Sequence, residues 1–334
     1  MNMAFSPGAM RPALGLLLAL ALAIDATPGR AAGVTPLTIC YGSEAAALVP
    51  LAQFQGFYAD EGLKVETKGF PSGFQALAAM LAGDCALSTA AVPPVVFQAL
   101  QRSDFRILAA ISSSGEFERI LALRDRGILV PEDLRGRRIA VARATSAHYF
   151  LDMFLAAHGL LPGDVTQVYL QAQAIGPALL AGEVDAVAYW EPHIRHLAKQ
   201  LGERAQVFGF PGLVVSPFLL LGRQDLVEQG SGAVQGVLRA LLRAERSMAQ
   251  APEEAARLLA PVYGELPADF NLVCSLHEFA VRLDQPLPFL LENAARWQLG
   301  LLPAPARPPL PDVMKLIDLN DLRAVRPAVV SILD

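Results

Sequence analysis

Between Arg138 and Pro192 the hydrophobic positions change period four times. Ile139-Ala140-Val141-Ala142 is a short apolar run with strand character; after Arg143-Ala144, the residues Phe150, Met153, Phe154 and Ala157 recur at the spacing of one buried helix face, until Gly159 stops them. The pattern predicts a strand, a hydroxyl-bearing turn at Thr145-Ser146 and a helix. It then predicts a strand over Val165–Leu170, a short helix closed by Gly182, and a strand over Asp185–Tyr189 that runs into Trp190-Glu191-Pro192. Parallel strands joined by helices gather their turn residues at the carboxyl edge of a sheet, where open α/β folds bind ligands. At Thr145 and Ser146 the first-turn N–H groups have no intrahelical acceptor and two hydroxyls stand beside them, a combination suited to an anionic or strongly polar small ligand.

The same order occurs earlier in the chain. Leu37–Gly42 reads as a strand, Leu48, Leu51, Phe54 and Tyr58 as a helix face ending at Gly62, and Leu63–Phe70 as the next strand. Pro71-Ser72-Gly73 opens a helix through Leu77, Met80 and Leu81 that Gly83 closes, and Cys85–Thr89 is the third strand. Gly182 follows Gly83 by 99 positions, Gly159 follows Gly62 by 97, and Leu170 follows Phe70 by 100. Two similar α/β lobes with parallel-rich sheets are therefore expected, with a ligand cleft between them. Extended runs at Arg119–Arg124 and Phe218–Leu221 border the second copy. They predict that residues 123–217 form a second lobe inserted into a first one made of 34–122 and 218–334, crossed near Leu123 and Pro217 by a two-stranded hinge. The rest, Gln224–Asp334, reads as mainly helical, with Val234–Met248 the strongest pattern, and Pro303, Pro305, Pro308, Pro309 and Pro311 as an extended strap.

A chain of 334 residues with 53% hydrophobic content can bury two cores, and a net charge of −5 supplies no electrostatic reason for nucleic-acid binding. Met1–Arg11 is weakly basic and Ala13–Ile24 is an apolar run of twelve residues, shorter than the roughly 20 a membrane span needs. Residues 1–32 are expected to be a cleavable signal peptide and the protein to be periplasmic, an uncleaved anchor being the alternative. Of the three cysteines, Cys40 and Cys85 fall on strands that can be neighbours; oxidation would pair them, but we read them as buried free thiols, with Cys274 unpaired in either case. His193 and His196 stand at i, i+3 with no third ligand nearby, so neither a metal nor a cofactor is expected. The sequence holds no phosphate loop, no H-E-x-x-H helix and no G-x-S-x-G elbow, and so offers no positive reason to propose catalysis.

Arg137-Arg138-Ile139-Ala140-Val141, Thr145-Ser146-Ala147-His148-Tyr149, Leu180-Ala181-Gly182-Glu183-Val184-Asp185-Ala186 and Trp190-Glu191-Pro192 together resemble the periplasmic binding proteins for taurine, alkanesulfonates, nitrate and thiamine precursors. Phe70-Pro71-Ser72-Gly73 and Phe279-Ala280-Val281-Arg282-Leu283 extend the likeness over nearly all of the expected mature chain. The resemblance implies a monomeric type II periplasmic binding protein that hands its ligand to an ABC permease and its ATPase at the inner membrane. It implies ligand contacts from Tyr41, Ser43, Glu44, Ser72, Gly73, Thr89, Ala90, Ser112, Thr145, Ser146, Tyr149, Trp190 and Glu191. The chain departs from the taurine-type pattern at Ala91-Val92-Pro93-Pro94, where two hydroxyls of a Gly-Ser-Ser-Pro turn are missing, which argues against taurine itself. Glu191 would repel a fully anionic ligand and favour one with an amine or N–H donors, unless it turns to solvent or to Arg195. Trp190 stands either for ligand stacking or for packing between lobes. Two alternatives accompany this reading: a pyrimidine-precursor-synthesising enzyme of the same superfamily, which carries a cysteine-rich motif absent here, and a receptor whose closed form is read by a membrane sensor.

Overall fold

The computed structural model describes Met1 and residues 37–230 and 232–333, so the signal peptide expected over 1–32 lies outside what is described. The first strands and helices are β1 (Leu37–Gly42), α1 (Leu48–Phe54), α2 (Phe57–Asp60), β2 (Val65–Phe70), α3 (Gly73–Ala82), β3 (Leu87–Ala91), α4 (Val92–Ala99) and β4 (Phe105–Ser114). The middle of the chain forms β5 (Glu118–Leu123), β6 (Arg138–Val141), α5 (Ser146–Ala157), β7 (Thr166–Tyr169), α6 (Ala172–Leu180), β8 (Ala186–Trp190), α7 (His193–Leu201) and β9 (Ala205–Phe208). After these come β10 (Ser216–Arg223), α8 (Gln224–Glu228), α9 (Ala233–Gln250), α10 (Pro252–Tyr263), α11 (Pro267–Cys274), β11 (Glu278–Arg282), α12 (Pro286–Gly300) and α13 (Asn320–Val325).

Two mixed sheets result, with strand orders β11-β4-β10-β3-β1-β2 and β7-β6-β8-β5-β9. In each, a parallel trio with its first strand in the middle (β2-β1-β3, β7-β6-β8) is joined by an antiparallel strand that crosses from the other part of the chain. The repeat read from the sequence is therefore structural. Gly62 and Gly159, and Gly83 and Gly182, all have positive φ and end equivalent helical segments, a conformation that costs a side-chain-bearing residue more than glycine.

The crossing points differ from the expected ones. Leu123 was expected to border the second lobe, but Glu118–Leu123 lies wholly in the five-stranded sheet, paired with β8 and β9, so the chain changes sheets between Ser114 and Glu118. It returns between Phe208 and Ser216, and Pro217 already belongs to β10 in the first sheet. β4, which the hydrophobic pattern leaves unassigned, is a ten-residue strand between β11 and β10. Covered on both faces, it shows no polar alternation to read.

Cys40 and Cys85 are disulfide-bonded, correcting the reading of free thiols: β1 and β3 are parallel neighbours, and the two Cα atoms stand 5.9 Å apart, within bridging range. Cys274 is free and buried, and burial pushes its thiol well above the usual range. The C-terminal part returns to the first lobe through α9, whose Val234, Val237, Leu238, Leu241 and Leu242 are buried while Arg239 and Arg243 reach Glu61 and Asp60, each at 2.7 Å. Among the described residues no helix is long and apolar enough to cross a membrane.

Candidate functional site

Three helices, α3, α4 and α5, start at the carboxyl ends of β2, β3 and β6 and meet between the sheets. Ser72 caps α3 by accepting from the Gln75 N–H at 3.3 Å, and Thr145 caps α5 by accepting from the His148 N–H at 3.4 Å. The N–H groups of Gly73, Phe74, Ser146 and Ala147 precede the first i→i−4 bond of their helices and have no intrahelical acceptor. The third start, α4, carries Pro93 and Pro94, which have no N–H to offer. The missing hydroxyls noted in the sequence therefore coincide with an apolar wall formed by Ala91 and Pro94.

These turns enclose a cavity of about 20 Å³, room for little more than one water molecule. Ser43, Ser72, Gly73, Phe74, Thr145, Ser146 and Trp190 line it, with Ala91, Pro94, Phe117 and Phe218 supplying apolar surface. An adjoining hollow of about 490 Å³ shares Ser72, Phe74 and Thr145 and adds Arg143 and Tyr169, with the guanidinium 5.4 Å from the ring centroid. Two non-glycine residues beside the cavity occupy the left-handed region, Ser43 (φ 65°) after β1 and Ala144 (φ 61°) after β6. Such backbone costs about 1–3 kcal/mol and gathers at functional sites. Gly42 is required by close approach: a Cβ there would stand 2.6 Å from the Gly73 nitrogen and 2.7 Å from the Ser72 carbonyl oxygen, displacing the start of α3.

Of the thirteen residues singled out from sequence, Ser43, Ser72, Gly73, Thr145, Ser146 and Trp190 are brought together on this cavity. The others lie elsewhere. Tyr41 meets Tyr263 edge-on and faces Gly69, and Tyr149 packs on Trp297 with ring centroids 5.0 Å apart. Thr89 and Ala90 are buried in β3, where Ala90 packs on Gly73. Ser112 sits in β4, and its buried hydroxyl donates to the Ala45 carbonyl at 2.6 Å. Glu191 accepts from the Arg195 N–H at 3.1 Å and so serves the first turn of α7. Glu44 is buried beside the cavity residue Ser43; burial, partly offset by its own backbone N–H and reinforced by the Glu265 carboxylate, pushes its carboxyl up to about 7.

Sequence reasoning missed Phe74, Phe117 and Phe218, whereas Ala91 and Pro94 stand in the turn whose missing hydroxyls the sequence showed. Phe117 and Glu118 mark the passage between the sheets, but the pattern puts the crossing later, and single apolar residues in strands carry no signal for which face they present. His148, buried at the start of α5, accepts from the Ala144 N–H at Nδ1 (3.3 Å), and its Nε2 meets Gln167 Oε1 at 2.9 Å. His193 stacks on Tyr189, while His196 bonds Glu265 across the lobes at 3.2 Å.

Two α/β lobes with paired helix starts facing a common cleft, joined by two crossing segments, define the architecture of a two-lobed solute-binding protein. The NMT1/THI5 like family profile matches residues 45–255, and the chain belongs to that family. It is 29% identical over 242 residues to the taurine-binding periplasmic protein of Escherichia coli strain K12, covering 71% of this chain and 72% of that one. A putative aliphatic sulfonates-binding protein of the same strain is 30% identical over 206 residues, 61% of this chain and 64% of that one. The structure of the alkanesulfonate-binding protein SsuA from Xanthomonas axonopodis pv. citri bound to MOPS superposes with a TM-score of 0.71 at 24% identity, covering 85% of this chain and 98% of that one.

Proposed function

We propose that this chain is the exported solute-binding component of an ABC importer, and that its cleft takes a small oxyanion-bearing molecule of the sulfonate type. One observation carries the ligand class: the starts of α3 and α5, with the hydroxyls of Ser43, Ser72, Thr145 and Ser146, converge on one cavity. Unpaired N–H groups at helix starts and their dipoles favour negative charge there. Trp190, also on the wall, offers an apolar face to the organic part. The two sequence relatives are named as binding proteins, for taurine and for aliphatic sulfonates, which supports the same class.

The test is a thermal-shift and calorimetric screen of ethanesulfonate, longer alkanesulfonates, nitrate and neutral analogues against protein lacking residues 1–32. A true ligand at 100 times its Kd is expected to stabilise by about 2.7 kcal/mol. Binding of the neutral analogues alone would overturn the oxyanion reading. Export is tested separately: the N-terminus of protein from the cell envelope is expected between about Ala31 and Thr35, by the small-residue rule at such cleavage sites. An intact Met1 in the cytosol would overturn it.

A further inference from the structure

A second hollow, of about 500 Å³, opens where α4 and α12 pack together, and it shares no lining residue with the cleft cavity. Its volume falls within the range of small-molecule sites, roughly 300–1,000 Å³. Phe97 and Leu100 at the end of α4, Leu301 and Leu302 after α12, and Ala306 and Pro308 of the proline-rich strap give it an apolar wall. Arg307 pins the strap in place, its Nε donating to the Leu302 carbonyl at 3.0 Å. The amides on this wall are spent within the chain: Gln298 donates to the Pro93 carbonyl at 2.7 Å and Gln101 to the Phe97 carbonyl at 3.4 Å.

The other lobe contributes a cation. Arg143 and Ala144, which follow β6, line the same hollow. Ala144 holds its left-handed turn with its N–H on His148, and Arg143 stands exposed beside it. Among the described residues no carboxylate pairs with Arg143, whose guanidinium lies against the Tyr169 ring. The arginines of the hollow at the C-terminal end of α3 differ in this respect, Arg102 being paired with Asp104 and Arg223 with Asp225. An apolar wall facing one uncommitted guanidinium matches a molecule with an apolar body and a single acidic group. We propose that this hollow is a second binding site, for an amphipathic organic monoanion of the medium-chain carboxylate type, with the acid on Arg143 and the chain along α4 and α12. Because the wall belongs to one lobe and the cation to the other, the molecule is gripped from both sides only while the lobes are together. The site is separate from the cleft and does not rest on the ligand read for it.

The experiment is calorimetry of the mature protein with octanoate, butanoate and octylammonium. Octanoate is expected to bind at least about tenfold tighter than butanoate, because its longer chain buries more methylenes, and at least about threefold tighter than octylammonium. Arg143→Gln is expected to weaken octanoate at least about threefold, a modest factor because the guanidinium is exposed, and to remove the preference over octylammonium. Leu301→Glu, which sets a carboxylate in the apolar wall, is expected to weaken octanoate at least about tenfold. Ser146→Ala, in the cleft, is expected to leave octanoate affinity within about twofold of wild type. Failure of octanoate to bind wild-type protein overturns the site. Binding that is lost in Ser146→Ala and kept in Leu301→Glu puts octanoate at the helix starts of the cleft and overturns it as well. Equal affinities for octanoate and octylammonium overturn the assignment of the acid to Arg143. Binding of ethanesulfonate in the screen above is decided independently of these outcomes, so the two readings fail separately.

Discussion

Ser146 and Ser112 are both buried serines named from the sequence, but their hydroxyls face different surroundings. Ser146 lines the cavity, whereas Ser112 ties β4 to the Ala45 carbonyl. Ser146→Ala is expected to weaken binding of the correct ligand at least about tenfold and also to lower the melting temperature of free protein, because its hydroxyl bears on the buried Glu118 carboxyl. Ser112→Ala is expected to leave affinity unchanged while costing about 1–2 kcal/mol of stability for a lost buried hydrogen bond. Calorimetry and thermal melts on both variants check this, and equal effects on affinity would remove the distinction between cleft and core. The buried ionisable groups also predict a pH profile. Glu44 is raised to about 7, so its folded form binds a proton that the unfolded form has lost, and its contribution disappears as pH rises through about 7. His193 and His277 are lowered by burial to about 4, so their contribution is present above the ordinary histidine range and lost as pH falls through about 4. Glu44→Gln is expected to remove a loss of stability that the wild type shows as pH rises from the ordinary carboxylate range to about 7, read as the difference between the two proteins' denaturant titrations across this range; equal slopes for both would remove the assignment to Glu44.

At the scale of elements, the pair β1 and β3 is held twice, by its ladder and by the disulfide between Cys40 and Cys85. That bridge closes a segment with a sequence separation of 45, which contains α1, α2, β2 and α3. In the chain-entropy account a loop of this length stabilises by about 4 kcal/mol. The double variant Cys40→Ser, Cys85→Ser is expected to lose that order of stability in urea titrations, and reductant is expected to have no further effect on it. The start of α3, which carries half of the proposed anion site, also depends on Gly42. Its replacement by alanine is expected to weaken ligand binding together with stability, because the added Cβ meets backbone that cannot swing aside.

At the scale of the molecule, the lobes are joined across the cleft by pairs on both sides. Trp297 of α12 donates to Asp152 of α5 at 2.8 Å, and Asp152 also accepts from Gln167 at 2.7 Å, so both oxygens of this buried acid are used. On the other side His196 meets Glu265, and Arg195 lies 3.8 Å from Asp269. A cavity of about 20 Å³ between lobes so joined has no room for a sulfonate, so the proposed ligand requires that they part before it enters. Trp297→Phe is expected to enlarge the radius of gyration of ligand-free protein in small-angle scattering, with ligand restoring the compact value at reduced affinity. A radius indifferent to both the variant and a ligand shown to bind would remove the hinge mechanism.

The periodic hydrophobic pattern by itself determined the helices and strands around Thr145, the recurrence near 100 residues and the glycines that end each repeat, because these are local consequences of burial on one face. It located the helix starts of the cleft for the same reason: a cap is legible within a few residues. What only the tertiary structure decided depends on contacts between distant segments. The crossing at Gly115–Phe117, the bridge between Cys40 and Cys85, and the engagement of Glu191 with α7 rather than the cleft are of this kind. So is the burial of Glu118, which in the sequence is one acid among 32 Asp and Glu, and whose carboxyl meets Ser146 and Ser216, placed beside it by two separate passages of the chain.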